Sequence, residues 1–202
     1  MKTPALVLAA VLALSRTAPA ADPGDAPRAV VARVSDQVLA ALGDKTLSTQ
    51  EKRQRVEEIV YANTDFPTLV RLVLAQNYAR FSEAQRQAFQ EEFKIHLSVT
   101  YGRNVENYAN ERVQIVGTRP EARGDWTVNT RILRGGPDDI EADYRLRQTG
   151  GEWKVIDVVI EKVSLVANFR SQFQEILANQ TPEQLIQLLH EKNQKGETFE
   201  KR

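Results

Sequence analysis

The spacing of apolar residues changes twice along this chain, and each change narrows the fold. Up to about residue 108 they recur every three or four positions, from 113 to 160 they alternate, and from 164 they return to helical spacing. A helix buries a face that repeats every 3.6 residues, and a half-buried strand one that repeats every two. Helices, then strands, then helices predict an α+β fold, with helices gathered on one face of an antiparallel sheet.

Local signals place the helices. Val31, Val34, Val38, Leu39 and Leu42 share a stripe over 28–42 that Gly43 ends, after a polar, Pro-rich stretch at 21–27. Ser48 with Glu51, Ser82 with Gln85, and Thr181 with Gln184 have capping-box spacing. Asp65 caps a helix with Pro67 in its first turn, and Ser164 restarts helical spacing after the strands. In the long helix from Ser82, Phe89, Phe93, Leu97 and Tyr101 fall every four residues, and Val105 and Tyr108 extend that face. Four large residues in one row predict packing against a broad partner such as a sheet.

About four strands follow. Val113 and Ile115 begin one; Trp126 to Leu133 and Ile140 to Arg147 alternate strictly; Trp153 to Ile160 is apolar on both faces apart from Lys154 and Asp157. Gly135-Gly136-Pro137 and Thr149-Gly150-Gly151 read as tight turns, so the strands form an antiparallel meander. Charged residues 192–202 read as a disordered tail.

The N-terminus reads as an export signal. Lys2 precedes a ten-residue apolar run, Ala5 to Leu14, and Ala18-Pro19-Ala20 offers small residues for cleavage before Ala21. Ten residues make about 15 Å of helix, half of a bilayer's hydrocarbon core of about 30 Å. With Lys2 and Arg16 removed, 25 basic side chains face 27 acidic ones, a net charge of −2. That balance argues against a nucleic-acid partner. The chain has no cysteine, which excludes disulfides, thiol chemistry and a Cys metal site. The expected layout is a signal peptide at 1–20, one domain at 21–191 (helices 28–108, antiparallel sheet 111–161, helices 164–191) and the tail.

Reactive constellations are sparse. His96 and His190 lie on separate helices with no carboxylate or second His at ligand spacing, so both read as surface or boundary residues and no metal site is expected. Asp157 is the odd residue, a carboxylate mid-strand whose side, on plain alternation, it shares with Trp153, Val155 and Val159. It reads either as an acid–base group or as a buried anchor paired with an Arg such as Arg145 or Arg170, and the anchor is favoured because no second catalytic group is identifiable. The remaining apolar residues fill a core or line a cavity, and periodicity does not separate the two.

Two blocks of sequence carry a resemblance. Asp65-Phe66-Pro67-Thr68-Leu69-Val70-Arg71-Leu72-Val73-Leu74, followed by Phe81-Ser82-Glu83-Ala84-Gln85-Arg86-Gln87-Ala88-Phe89 and Phe93, resembles the MlaC family, also called toluene-tolerance or Mla-pathway periplasmic phospholipid-binding proteins. So does the run from Trp153 through Asp157, Glu161, Ser164-Leu165-Val166, Asn168-Phe169-Arg170-Ser171-Gln172 and Phe173. The family pattern carries Gly where this chain has Lys162. The resemblance runs from about residue 30 to 190.

It implies an NTF2-like α+β fold in which a curved antiparallel sheet and surrounding helices enclose an apolar pocket. It implies a monomeric, non-enzymatic shuttle with no cofactor and phospholipid as its cargo. The implied partners are an inner-membrane ABC transporter complex and an outer-membrane lipoprotein–porin complex. The role would be to keep the outer membrane asymmetric; a hopanoid or other lipid is the alternative cargo, and an NTF2-like small-molecule enzyme using Asp157 or a solid-cored interaction module the alternative functions. The expected contacts to the lipid tails are Phe66, Leu69 and Val73; Phe89, Phe93, Leu97 and Tyr101; Val128, Ile132, Tyr144, Val155, Val159 and Val163 of the sheet; and Leu165, Phe169 and Phe173. Arg145, Arg147 or Arg170 is expected beside a phosphate at the mouth.

Overall fold

The computed structural model describes residues 22–102, 108, 110–135 and 139–199. The leader at 1–20, Val105 and the Gly136-Pro137 half of the first turn lie outside them. Short-range side-chain bonds start five of the helices. Ser48 and Glu51 cap each other reciprocally at α2 (Thr49–Ala62), as do Ser82 and Gln85 at α4 (Glu83–Tyr101) and Thr181 and Gln184 at α6 (Pro182–Lys195). Asp65 accepts the Thr68 N–H to open α3 (Phe66–Leu74), and Ser164 accepts the Ala167 N–H to open α5 (Leu165–Asn179). Each bond satisfies a donor that the first helical turn leaves free.

The other α-helix among the described residues, α1 (Asp25–Gly43), has no side-chain cap and takes its first turn from the Pro-rich stretch expected to precede it. Pro27 suits a turn whose N–H groups have no partner. Gly24 fixes where α1 meets the sheet: a Cβ there would lie 2.7 Å from the Thr118 hydroxyl and 2.8 Å from the Trp126 ring.

The sheet is β1 (Arg112–Pro120), β2 (Trp126–Leu133), β3 (Ile140–Thr149), β4 (Glu152–Ile160) and a two-residue β5 (Val163–Ser164), in sequence order, with every neighbouring pair antiparallel. Four strands were expected; the fifth is too short to show as alternation. Gly150 (φ 61°) and Gly151 (φ 87°) make the two-residue β3–β4 turn. The β4–β5 turn takes the same left-handed form with Glu161 (φ 49°) and Lys162 (φ 67°), although neither is a Gly.

Residues directly opposite one another share a face. Trp126, Val128, Thr130 and Ile132 pair with Leu146, Tyr144, Ala142 and Ile140, and form the covered face. Thr127, Asn129 and Arg131 with Arg145, Asp143 and Glu141 form a polar face. A bulge in β4 corrects the plain alternation: Val155 lies opposite Leu146 and Asp157 opposite Arg145. Asp157 therefore belongs to the polar face, apart from Trp153 and Val155, and what reads as a doubly apolar strand is two stretches that change phase at the bulge.

Two cores flank this sheet. In the smaller, Val31 of α1 packs on Val128 and Leu146, with Val30, Ile115, Tyr144, Trp153 and Val155 around them. The larger joins α3, α4, α5 and α6. Its centre is a set of stacked and edge-on rings: Phe93 lies 5.6 Å from Phe89, 5.0 Å from Phe169 and 5.6 Å from Phe173. The row on α4 thus meets helices and their rings, where a sheet was expected. Spacing tells which side of a helix faces inward and leaves open what waits there.

The C-terminal expectation also changes. The helix continues through residue 192 to Lys195 and closes on Gly196. Phe199 then packs 4.9 Å from the His96 ring and 5.8 Å from Phe173. One aromatic in a charged tail pins it as far as residue 199; residues 200–202 lie outside the described residues. Between the cores, Asn63–Asp65 runs beside β4: the Val155 N–H donates to the Asn63 carbonyl (2.9 Å) and the Asp65 N–H to the Val155 carbonyl (3.0 Å).

Candidate functional site

Asp157 is 3 % exposed. Its carboxylate accepts the Ser164 hydroxyl (2.6 Å) and the Val166 N–H (3.0 Å) at the start of α5. It is an anchor, as favoured, but its partners are a hydroxyl and a helix N-terminus in place of an Arg. Arg170 donates instead to the Leu72 carbonyl at 2.8 Å, tying α5 to α3. Arg147 grips Asp125 with two bonds of 2.7 Å. The Nε of Arg145 is buried without a partner, on the polar face of the sheet.

His96 overturns its reading as a surface or boundary residue. It is fully buried, with Nδ1 3.0 Å from the Asn193 side-chain oxygen and its ring between Phe169 and Phe199. Burial pushes its pKa down, against the Asn193 hydrogen bond. His190 pairs with Glu92 at 2.8 Å, and Asn193 also donates to Glu92 (2.9 Å), so α4 and α6 are pinned by polar bonds. Among the described residues no three His, Cys, Asp or Glu side chains gather to hold a metal.

Asp65 is another buried carboxylate. Burial raises its pKa, but bonds from the Thr68 N–H (3.0 Å), the Thr68 hydroxyl (2.8 Å) and the Thr149 hydroxyl (2.8 Å), with Arg147 nearby, hold it below the ordinary carboxylate value. This carboxylate fastens α3 to the β3–β4 hairpin. Each acid or base singled out from the sequence is thus engaged by structural partners; Arg145, whose Nε has no hydrogen bond, still attracts the Glu121 carboxylate.

The sixteen expected tail contacts fall into three groups. Phe66, Leu69, Val73, Phe89, Phe93, Phe169 and Phe173 are buried in the larger core, with Leu97, Tyr101 and Leu165 half-buried at its margin. Val128, Tyr144 and Val155 belong to the smaller core. Ile132 and Val159 are half-buried outside both, and Val163 is 60 % exposed.

Tyr144 is half-buried at the edge of the smaller core. It sits mid-strand on the covered face, with Val128, Ala142 and Leu146 buried around it, yet keeps accessible surface of its own. Burial pushes its phenol pKa up. Ile115, Ile132, Ile140 and Val158 on the same face are likewise apolar and half-buried. The α1 residues Val30 and Val31 and the strand residues Ile115, Leu146 and Trp153 are missing from the expected set; the stripe on α1 and the alternation of the strands were the signals for them.

Comparison with known proteins places the chain. The family described as MlaC protein matches residues 32–191. The chain belongs to the MlaC family. A curated relative, the toluene tolerance protein ttg2D of Pseudomonas putida, is 26% identical over 106 residues, 52% of this chain and 49% of that protein, so the match spans about half the length of that relative. A solved phospholipid-binding protein from Ralstonia solanacearum, in complex with a phospholipid, shares the fold with a TM-score of 0.77 and 26% identity, over 84% of this chain and 98% of that one.

This MlaC-family chain also has a groove of about 920 Å³ between α1, α2 and the β3–β4 turn, floored by Ala40, Ala41, Ile59 and Ala62. None of the sixteen expected tail contacts lines it. Its charged rim is already engaged, as Arg33 donates to Asn63 (2.9 Å), Arg55 pairs with Glu58 (3.2 Å) and Lys154 with Glu152 (3.1 Å). The half-buried apolar side chains of the covered face offer the kind of surface an acyl chain needs, whereas the groove carries a charged rim.

Proposed function

We propose that this chain is a soluble phospholipid carrier that works after export to the periplasm. One observation carries the reading: a solved relative that shares the fold over most of both chains holds a phospholipid. The accessible apolar surface on the covered face supports it, as does the occupation of Asp157 by structural partners. None of the described helices is long and apolar enough to cross a membrane.

The physics of transfer suits such a site. Burying a methylene stabilises by about 0.8 kcal/mol, so two acyl chains with about thirty methylenes represent some 20 kcal/mol or more against water. A carrier must nearly match the bilayer's hold on those chains to extract the lipid, and must not much exceed it if it is to release. Apolar walls close to the chains do this with no covalent step. In this reading the partners are an outer-membrane lipoprotein–porin complex and an inner-membrane ABC transporter complex, and the traffic between them keeps the outer membrane asymmetric.

The test is to express the chain with its leader, purify it from the periplasm and identify extracted lipids by mass spectrometry. Phospholipid at near one per protein, and uptake from labelled vesicles, are expected. Lipid-free protein that takes up nothing from vesicles would refute the proposal.

A further inference from the structure

The segment after α6 closes over a histidine that has a bare nitrogen. Gly196 takes a left-handed turn (φ 65°), its N–H bonds the Asn193 carbonyl at 3.2 Å, and the Glu197 N–H bonds the Lys192 carbonyl at 2.9 Å. The turn sends Phe199 back over α4 and α5, where its ring lies 4.9 Å from His96 and 5.8 Å from Phe173.

The bonds around His96 fix which nitrogen carries the proton. The Asn193 amide nitrogen donates to the Glu92 carbonyl and to the Glu92 carboxylate, both at 2.9 Å, so the amide oxygen is the end that faces His96. A carbonyl oxygen accepts, so Nδ1 of His96 is the N–H donor and Nε2 is left without a proton. Nε2 is buried, with no hydrogen-bond partner among the described residues. A neutral ring tolerates an unused acceptor there. Protonation would put a charged N–H in its place, which must be bonded or solvated.

The charges nearby offer no acceptor. On α4, Glu92 already serves Asn193 and His190. From α6, Lys192 disfavours a charge on His96, and it fastens the segment by donating to the Thr198 carbonyl at 3.3 Å and lying 5.2 Å from the Phe199 ring. Glu197 pairs with Lys192 at 3.8 Å. On α5, Phe169 covers the imidazole at 5.8 Å, and Arg170 beside it is turned to the Leu72 carbonyl. Water is the acceptor that remains. Phe169 is 2 % exposed, whereas Phe199 is half-buried, so the way in for water is past Phe199.

We propose that His96 and Phe199 form a proton-operated latch: a proton on Nε2 drives Phe199 off the imidazole, frees residues 197–199 and uncovers Phe173. With the latch shut, burial holds the His96 pKa down. The open form therefore takes the proton more readily, and falling pH favours it. The latch needs no lipid, so it stands or falls apart from the carrier reading.

The experiment titrates the full mature chain by NMR from pH 7.5 to 4.5. It follows the His96 ring shift, the cross-relaxation between the His96 and Phe199 rings, and the backbone mobility of residues 197–199. The ring contact is expected to vanish, and the segment to become mobile, at the pH where His96 titrates, below the ordinary histidine value of about 6.5, with the amide dispersion of α4, α5 and the sheet unchanged. His190→Gln is expected to keep this response, since a proton on His190 strengthens its pair with Glu92. His96→Phe is expected to hold Phe199 in place at every pH. A ring contact that survives to pH 4.5, release at a pH where His96 does not titrate, or loss of the whole fold in the same step overturns the latch. So does a response that disappears in His190→Gln. The wild-type titration decides the matter even where His96→Phe fails to fold.

Discussion

Replacing Asp157 separates a structural role from a chemical one. Asp157→Ala removes the acceptor of two bonds at the start of α5, the Ser164 hydroxyl at 2.6 Å and the Val166 N–H at 3.0 Å. The Val166 N–H is buried, and a stranded buried donor costs about 1–3 kcal/mol. Ser164 is half-buried and can turn to water, so its share is about 1 kcal/mol. A negative group at a helix N-terminus contributes a further 0.3–1 kcal/mol or so. The expected loss is about 3 kcal/mol, or roughly 6–12 °C in Tm for a chain of this size. Asp157→Asn keeps one carbonyl oxygen for Val166 and is expected to lose about 1 kcal/mol. Urea unfolding followed by circular dichroism reads both, with lipid retention measured on the folded variants. An Ala variant as stable as the wild type, or an Asn variant that unfolds normally yet holds no lipid, would refute the anchor.

Three further substitutions probe the tail and the strained turn. The folded-state pKa of His96 is lowered, so the native chain binds fewer protons than the unfolded one and stability is full above about pH 6.5 and falls as pH drops below it. Unfolding titrations from pH 8 to 5 are expected to show that fall and to lose it in His96→Phe. Phe199→Ala should raise the His96 pKa, read by NMR of the ring, because it admits water to the imidazole; an unchanged value would mean that the tail does not shield it. Lys162→Gly is expected to gain about 0.5–1 kcal/mol in urea unfolding, since φ of 67° strains any side chain, and a loss would mean that the Lys side chain stabilises the turn.

Sequence reading did best where the physics is local. The caps at Ser48, Asp65, Ser82 and Thr181 each need a bond to a residue three positions on and form as expected, and Ser164, where helical spacing restarts, caps α5 in the same way. It failed where partners are distant in the chain. Phe199 meets His96 across a hundred residues, and nothing near either of them signals the contact. The ring of Phe93 and the ring of Tyr144 both come from positions that face inward, yet one is sealed in a core and the other stays half-buried. That difference depends on how two cores approach each other, which no periodicity encodes.

The bulge in β4 bears on where this strand can change length. Between Val155 and Asp157 the sheet passes over Ile156 without a partner of its own. Deleting Ile156 would restore strict alternation and return every other side chain of the strand to the face it now occupies: Trp153, Val155, Val158 and Ile160 to one, Asp157 and Val159 to the other. A deletion at Lys154 or Val158 would instead invert the rest of the strand. The strand's backbone therefore has one residue to spare, but the side chain there is buried. Ile156 is held by what it fills, and the hydrogen-bonded ladder would close without it.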